Sequence, residues 1–306
     1  MILPAPIHQG DKVALVAPCS PILPERLAYA AEFVAGLGYL PEIYPSCQSR
    51  LGFLAGSDEL RAADINRAFA EPEIRAVIVL RGGYGSARLA GLLNYDIMGS
   101  NPKVFTGFSD ATALHALLNQ RCGMVTFHAP MPAAANFPGD EFTHKALADV
   151  LTGNWRTEYS NSHTERNAGA ALECLCEGHA EGLLTGGNLT IVASTAGTPY
   201  QLDCRGKILF LEDVGEYAYA IDRAICHLKD SGILSGCRGI LLGTWKDCAE
   251  PSDFSLREVF LRAFGEMNIP VISGLQCGHS VPSTALPLGM NAEITSAPED
   301  CRIIIK

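Results

Sequence analysis

Val104-Phe105-Thr106-Gly107-Phe108-Ser109-Asp110-Ala111 is the stretch of this chain best suited to covalent chemistry. An apolar run with strand character meets a glycine, then a serine, then a helical pattern. A strand–turn–helix of this kind exposes one side chain at the C-terminal edge of a sheet. It also points the next backbone N–H at the same place and sets a helix N-terminus where negative charge would develop. The pattern G-x-S-x-A is close to the nucleophile elbow G-x-S-x-G. The plainer alternative is that Ser109 or Asp110 caps the helix. A second stretch, Leu80-Arg81-Gly82-Gly83-Tyr84-Gly85, directly follows another apolar run. Three glycines in four residues let the backbone approach a ligand and offer N–H donors, as an oxyanion hole requires, but they also suit a tight turn. The stretch lacks the GKS or GKT of a phosphate loop and the order of a dinucleotide fingerprint.

A serine nucleophile needs a base, and the base needs a carboxylate to orient it. The chain has eight histidines. His115 and His227 fall within helical patterns and read as surface or packing residues, and His163 lies in a polar run. His128 ends a strand pattern and is a credible pocket residue. His279, in Gln276-Cys277-Gly278-His279-Ser280, sits on a glycine-flanked loop after a strand pattern, a good position for general-base work. For the carboxylate, Ile208-Leu209-Phe210-Leu211-Glu212-Asp213 places two acids at the end of an apolar strand, and the pattern leaves the choice between Glu212 and Asp213 open. Glu181-Gly182-Leu183-Leu184-Thr185-Gly186-Gly187-Asn188 is glycine-rich ahead of a helix and either lines a cleft or shapes a turn.

The elements that must hold these residues alternate in type. In the first half, strands are expected over 12–16, 40–44, 76–80, 104–107 and 124–127. Helices are expected over 24–37, 58–69 (with Ser57 or Asp58 as cap), 86–93 and 111–120. Such alternation implies a parallel sheet with helices on its faces. The run Thr152–Asn167 is almost wholly polar and reads as a linker or surface loop. Beyond it, strands are expected over 208–211, 239–242, 270–273 and 302–305, with helices over 218–229 and 255–267. The fold class is therefore α/β in two domains. Residues 1–150 form a nucleophile-bearing domain with a parallel sheet flanked by helices, 151–167 a linker, and 168–306 a C-terminal α/β domain carrying the glutamate and the histidine.

Composition narrows the partners. The 306 residues suit two domains of roughly 150 each. With 48% hydrophobic and 18% charged residues, the chain has ample material for buried cores. The net charge of −10, with no Lys/Arg cluster, argues against nucleic acid and anionic membranes. No apolar run reaches the ~18 residues of a membrane span, and Met1–Asp11 has neither the basic nor the apolar region of a signal peptide. The 11 cysteines are scattered, odd in number and without a CxxC pair. They read as reduced thiols in a cytoplasmic protein, not as a disulfide framework or zinc ribbon.

Taken together and in order, these motifs resemble the LD-carboxypeptidase and microcin-immunity family of serine peptidases. The resemblance spans nearly the whole chain: GDKVALVAPCSP from Gly10, LRGGYGSARL from Leu80, GFSDATALH from Gly107, TFHAPM from Thr126, EGLLTGGNL from Glu181, LFLEDVGE from Leu209 and GHSVPSTALPLG from Gly278. It implies Ser109 as nucleophile, Glu212 in preference to Asp213 as acid, and His279 as base. It further implies the backbone amides of Gly83 and Asp110 as oxyanion donors, and Tyr84, Asn188 and Arg223 as substrate-binding residues. A homodimer without metal or cofactor is implied as well. The substrate it implies is a small muropeptide, a peptidoglycan tetrapeptide that loses its terminal D-alanine in cell-wall recycling. The alternative within the family is an aminoacyl-nucleotide antibiotic, whose peptidases tend to carry an added aromatic-bearing loop. Here the region 130–170 is of modest length, with Trp155 and Tyr159 its clearest aromatics, which favours the tetrapeptide. A non-catalytic two-domain ligand-binding protein is the alternative from another class.

Overall fold

Strands and helices alternate along the chain as their patterns require, and a computed structural model describes them over residues 1–248 and 254–306. Two units result: Met1–Trp155 with Ala285–Pro287, and Arg156–Thr284 with Leu288–Lys306. The first contains β1 (Lys12–Val16), α1 (Pro24–Gly36), β2 (Leu40–Ile43), α2 (Asp58–Ala70), β3 (Ile74–Val79), α3 (Tyr95–Ser100), β4 (Val104–Gly107), α4 (Thr112–Cys122), β5 (Thr126–His128) and α5 (Glu141–Thr152). Its five strands are parallel, in the order β5-β4-β3-β1-β2. The continuous apolar runs of β1, β3 and β4 are almost wholly buried, as expected for strands covered on both faces. The strand order reverses between β1 and β3. In open α/β sheets the crevice at the carboxyl ends of such a pair is where ligands bind. The loops that leave β1 and β3 there carry Ser20 and the glycine stretch, and β4 next to them leads to Ser109.

The second unit contains β6 (Thr157–Ser160), β7 (Glu173–Cys176), β8 (Gly178–Asn188), α6 (Leu189–Ser194), β9 (Lys207–Val214), α7 (Ala218–Asp230), β10 (Gly239–Lys246), α8 (Leu256–Phe264) and β11 (Val271–Ser273), then β13 (Asn291–Ser296) and β14 (Arg302–Ile305). Between these last pairs, β12 (Leu286–Leu288) leaves to join the first sheet beside β5. The second sheet runs β6-β14-β13-β8-β9-β10-β11-β7. Its centre, β8 to β11, is parallel and its flanks are antiparallel.

Three segments differ from expectation for identifiable reasons. The supposed linker contains β6, which pairs with β14. Tyr159 lies buried opposite Ile303 while Glu158 on the other face pairs with Arg302. The run is polar because an edge strand buries only one face, and because its asparagines satisfy backbone groups. Asn161 bonds both the N–H and the carbonyl of Leu172. The helix expected over 86–93 is only a short 3-10 turn, Ser86–Leu89. The Ser86 donors are taken by Asp110, and Asn94 caps a separate helix, α3. The glycine-rich stretch before α6 is not a turn but the end of β8. Its small residues allow close backbone approach: a Cβ on Gly186 would fall on the Phe210 carbonyl of β9.

One buried group makes the first unit sensitive to acid. His115 on α4 is fully buried, bonds the Gly107 carbonyl through Nε2 at 2.8 Å, and lies edge-on to Phe105. Burial pushes its pKa down to about 4, only partly offset by the bond to Gly107. A histidine depressed in the folded state contributes stability above its unfolded pKa of about 6.5 and loses it as pH falls towards 4, by up to about 3 kcal/mol. Urea unfolding from pH 7 to pH 4 should therefore show a loss of stability that His115→Gln, which keeps a donor for Gly107, largely removes. An unchanged pH profile in that variant would contradict the assignment.

Candidate active site

One group of candidate residues lies in the first unit, at the carboxyl edge of β3 and β4. Ser109 adopts φ +62°, a left-handed conformation that a non-glycine residue holds only when its surroundings compel it, at a cost of about 1–3 kcal/mol. A simple helix cap does not need that backbone. Gly82 lies against it: a Cβ there would stand 2.9 Å from the Ser109 Cβ and 3.0 Å from its Oγ, so no larger residue fits. Ser20 laces the glycine loop in place, donating its N–H to the Gly82 carbonyl and accepting from the Tyr84 N–H, both at 3.2 Å. Among the described residues neither the Gly83 nor the Asp110 N–H has an acceptor. Two donors without protein acceptors, on the segments that flank Ser109, suit an incoming oxyanion. The Asp110 carboxylate faces away into the fold, where it accepts from the Ser86 N–H at 2.8 Å. Beside it, burial and then the Asp110 charge raise the Cys19 thiol well above its ordinary pKa, so it stays protonated.

A second group of candidate residues lies in the second unit, at the carboxyl edge of β8, β9 and β10. Glu212 at the end of β9 is fully buried, and its Oε2 lies 2.7 Å from His279 Nδ1. A carboxylate accepts, so His279 carries its proton on Nδ1 and leaves Nε2 as the atom that can take one. Burial raises the pKa of Glu212, and the bond to His279 is the largest influence opposing it. Asp213, the competing acid, accepts from Asn188 Nδ2 (2.8 Å), from the Thr190 N–H (2.9 Å) and hydroxyl (2.8 Å), and from the Val214 N–H (2.9 Å). It holds the start of α6, and Glu212 alone of the pair bonds the histidine. The His279 loop is braced from several sides. Thr244 Oγ1 accepts from the Ser280 N–H, Ser283 Oγ accepts from the Gly278 N–H, and Asn167 bonds the Gly274 carbonyl and the Gln276 N–H. Gly278, at φ +131°, passes so close to the acid that a Cβ would stand 2.6 Å from Glu212 Oε2.

The remaining expected residues are placed differently. Asn188 is buried. Its amide reaches Glu212 Oε1 at 3.4 Å and Asp213 at 2.8 Å, and its carbonyl caps α6, so it supports the acid from within the fold. Tyr84 is half exposed with its ring against Phe53, and Arg223 is exposed on α7 with its guanidinium over Tyr219. His128, the candidate pocket residue, is 1% exposed and packs on Phe108 below the elbow. Sequence reasoning missed Ser20, Ser86, Asn167 and Thr244. The signal for Thr244 was a lone hydroxyl closing the apolar run of β10; Asn167 was hidden in the polar run.

Comparison with known proteins agrees with this division. The family description "LD-carboxypeptidase N-terminal domain" matches residues 13–129, which include Ser109. The description "LD-carboxypeptidase C-terminal domain" matches residues 181–294, which include Glu212 and His279. A Bacillus subtilis protein named "Probable murein peptide carboxypeptidase" is 35% identical over 96% of this chain and 92% of its own length. Among solved structures, the muramoyltetrapeptide carboxypeptidase of Oxalobacter formigenes is similar with a TM-score of 0.84 at 29% identity, covering 96% of this chain and 98% of that one. The MccF-like protein of Bacillus anthracis has a TM-score of 0.88 at 26% identity, covering 100% and 99%.

The crowding at Gly278 yields a direct check on the buried pair. Gly278→Ala should destabilise the second unit by about 1–3 kcal/mol in urea unfolding and shift the downfield proton resonance of His279 Nδ1–H. A resonance unmoved by the substitution would mean that the added methyl leaves the Glu212–His279 bond intact.

Proposed function

The chain belongs to the LD-carboxypeptidase family of serine peptidases, and from that premise we propose that it releases the terminal D-alanine of a peptidoglycan-derived tetrapeptide through an acyl-enzyme on Ser109. The observation that carries this reading is the desolvated Glu212 bonded to His279 Nδ1 in one unit, together with a left-handed Ser109 flanked by two amides without protein acceptors in the other. In the proposed reaction His279 Nε2 takes the Ser109 proton as Oγ attacks the scissile carbonyl. The N–H groups of Gly83 and Asp110 hold the tetrahedral oxyanion, and His279 passes the proton to the leaving amine. Water, activated by the same imidazole, then frees the acyl group. Glu212 keeps the imidazole in the right tautomer and stabilises the imidazolium while it exists.

A murein peptide as substrate follows the names of the relatives. An aminoacyl-nucleotide is less well served by the aromatics of the region 130–170. Trp155 is buried on Phe127 and donates to the Val150 carbonyl, and the buried Tyr159 bonds Thr284, so neither ring offers a face to a base. The reading extends to a cytoplasmic homodimer without nucleic-acid or membrane partners. All eleven cysteines are free thiols, which suits a reducing compartment, and no described helix is long and apolar enough to cross a membrane.

Mass spectrometry of muropeptide tetrapeptide incubated with the protein tests the reading. Loss of one alanine is expected with wild type, and none with Ser109→Ala, whose turnover should fall on the order of 10⁴-fold or more. Cleavage by neither would remove the cell-wall assignment, and cleavage by both would remove Ser109 as nucleophile. Glu212→Gln should keep the fold but lower kcat by roughly 10⁴-fold, because the amide can hold the wrong imidazole tautomer. Near-normal kcat in that variant would contradict the assignment of the acid.

A further inference from the structure

We infer that Ser86 is a positioning residue that sets the alignment of the two oxyanion-donor amides by bonding both the side chain and the backbone of Asp110. The inference rests on the serine-peptidase reading above. Ser86 is fully buried and begins the short turn after the glycine loop. Its N–H donates to Asp110 Oδ2 at 2.8 Å, and its hydroxyl donates to the Asp110 carbonyl. These two bonds join segments 24 residues apart in sequence. One of them carries the Gly83 amide, three residues before Ser86, and the other carries the Asp110 amide.

Each bond constrains a different freedom. The hydroxyl holds the peptide group that follows Asp110, and the N–H holds the Asp110 side chain. With both fixed, the Asp110 backbone has little room to rotate, and its own N–H is fixed with it. The glycine loop needs such restraint more than most, because residues without side chains have nothing to pack. Its other anchors lie on the same network. Ser20 bonds Gly82 and Tyr84, and Arg61 donates Nη1 to the Gly85 carbonyl at 3.0 Å. The Arg61 side chain is wholly buried and also bonds the Pro18 carbonyl and Asp58. Within this network the two bonds of Ser86 reach Asp110 on the elbow itself. A serine is also the smallest side chain that supplies a second donor there. Alanine would retain the N–H bond and leave the buried Asp110 carbonyl without its hydroxyl partner.

The consequence falls on the transition state. Negative charge develops on the substrate oxygen only there, so misaligned donors cost turnover while ground-state binding survives. Ser86→Ala should lower kcat on the tetrapeptide by roughly 10- to 100-fold with KM within about threefold of wild type. Affinity for a tetrahedral phosphonate analogue should weaken by the same factor as kcat/KM, while affinity for the tripeptide product should hold. A residue needed only for folding would weaken product and analogue alike. If Ser86→Ala does not fold, Asp110→Ala, which removes the side-chain half of the clamp and keeps the amide, should give the same signature. A kcat within twofold of wild type, a change confined to KM, or equal weakening of product and analogue would overturn the inference while leaving the activity itself established. Failure of wild type to cleave the tetrapeptide would overturn the functional reading, and this inference with it.

Discussion

A carboxylate without access to water, bonded to one imidazole, is the constraint on which the second unit depends. Removing an ionised group from water costs several kcal/mol unless charge and hydrogen bonds replace the lost solvation. Here the replacements are His279 at 2.7 Å and the Asn188 amide. Much of the nearby sequence answers to that requirement. Gly278 is small because the acid lies against it, Thr244 and Asn167 hold the loop that brings the histidine, and Asp213 anchors α6 so that its neighbour can face the other way. Cys277, fully buried beside Glu212, has its thiol pKa raised by burial and then by that charge, so it adds no further negative charge beside the acid.

The first unit meets the complementary requirement. Backbone donors must be kept without protein partners until the reaction supplies one; Gly83 is exposed and Asp110 buried, and for the buried amide an unpaired N–H is disfavoured. A parallel sheet provides the place for both arrangements. In each unit the relevant residues lie towards or beyond the carboxyl ends of neighbouring strands: Ser20, Gly83 and Ser109 after β1, β3 and β4; Asn188, Glu212 and Thr244 near the ends of β8, β9 and β10. The register of β8 on β9 sets Asn188 directly opposite Glu212, so the support for the acid is a consequence of strand pairing.

The parts of this arrangement that rest on local patterns could be read from the residues alone. The apolar runs of β1, β3, β4, β9 and β10, the glycine loop and the strand-to-serine step are visible because burial on both faces and tight turns leave composition signatures. The choice between Glu212 and Asp213 was not visible in the strand pattern, since both acids end the same apolar run. It turns on which of them α6 uses, a contact between separate segments. Asn167 and β6 were obscured for a related reason. An edge strand and side chains that bond backbone are polar, and a polar run looks like a linker. β12 has only three residues and joins a sheet whose other strands end far earlier in the chain, so nothing local marks it. Ser86 lay inside a helical pattern, and its role depends on Asp110, which the sequence brings no closer than 24 residues.

The central claim is that Ser109 is a nucleophile activated by the buried pair of Glu212 and His279. A tetrapeptide analogue with a reactive fluorophosphonate in place of the scissile carbonyl tests it most directly, with the modified residue located by peptide mapping. The account predicts a phosphonyl adduct on Ser109, formed far more slowly in Glu212→Gln although Ser109 is untouched there. An adduct on another residue, or equal labelling of Ser109→Ala, would contradict it.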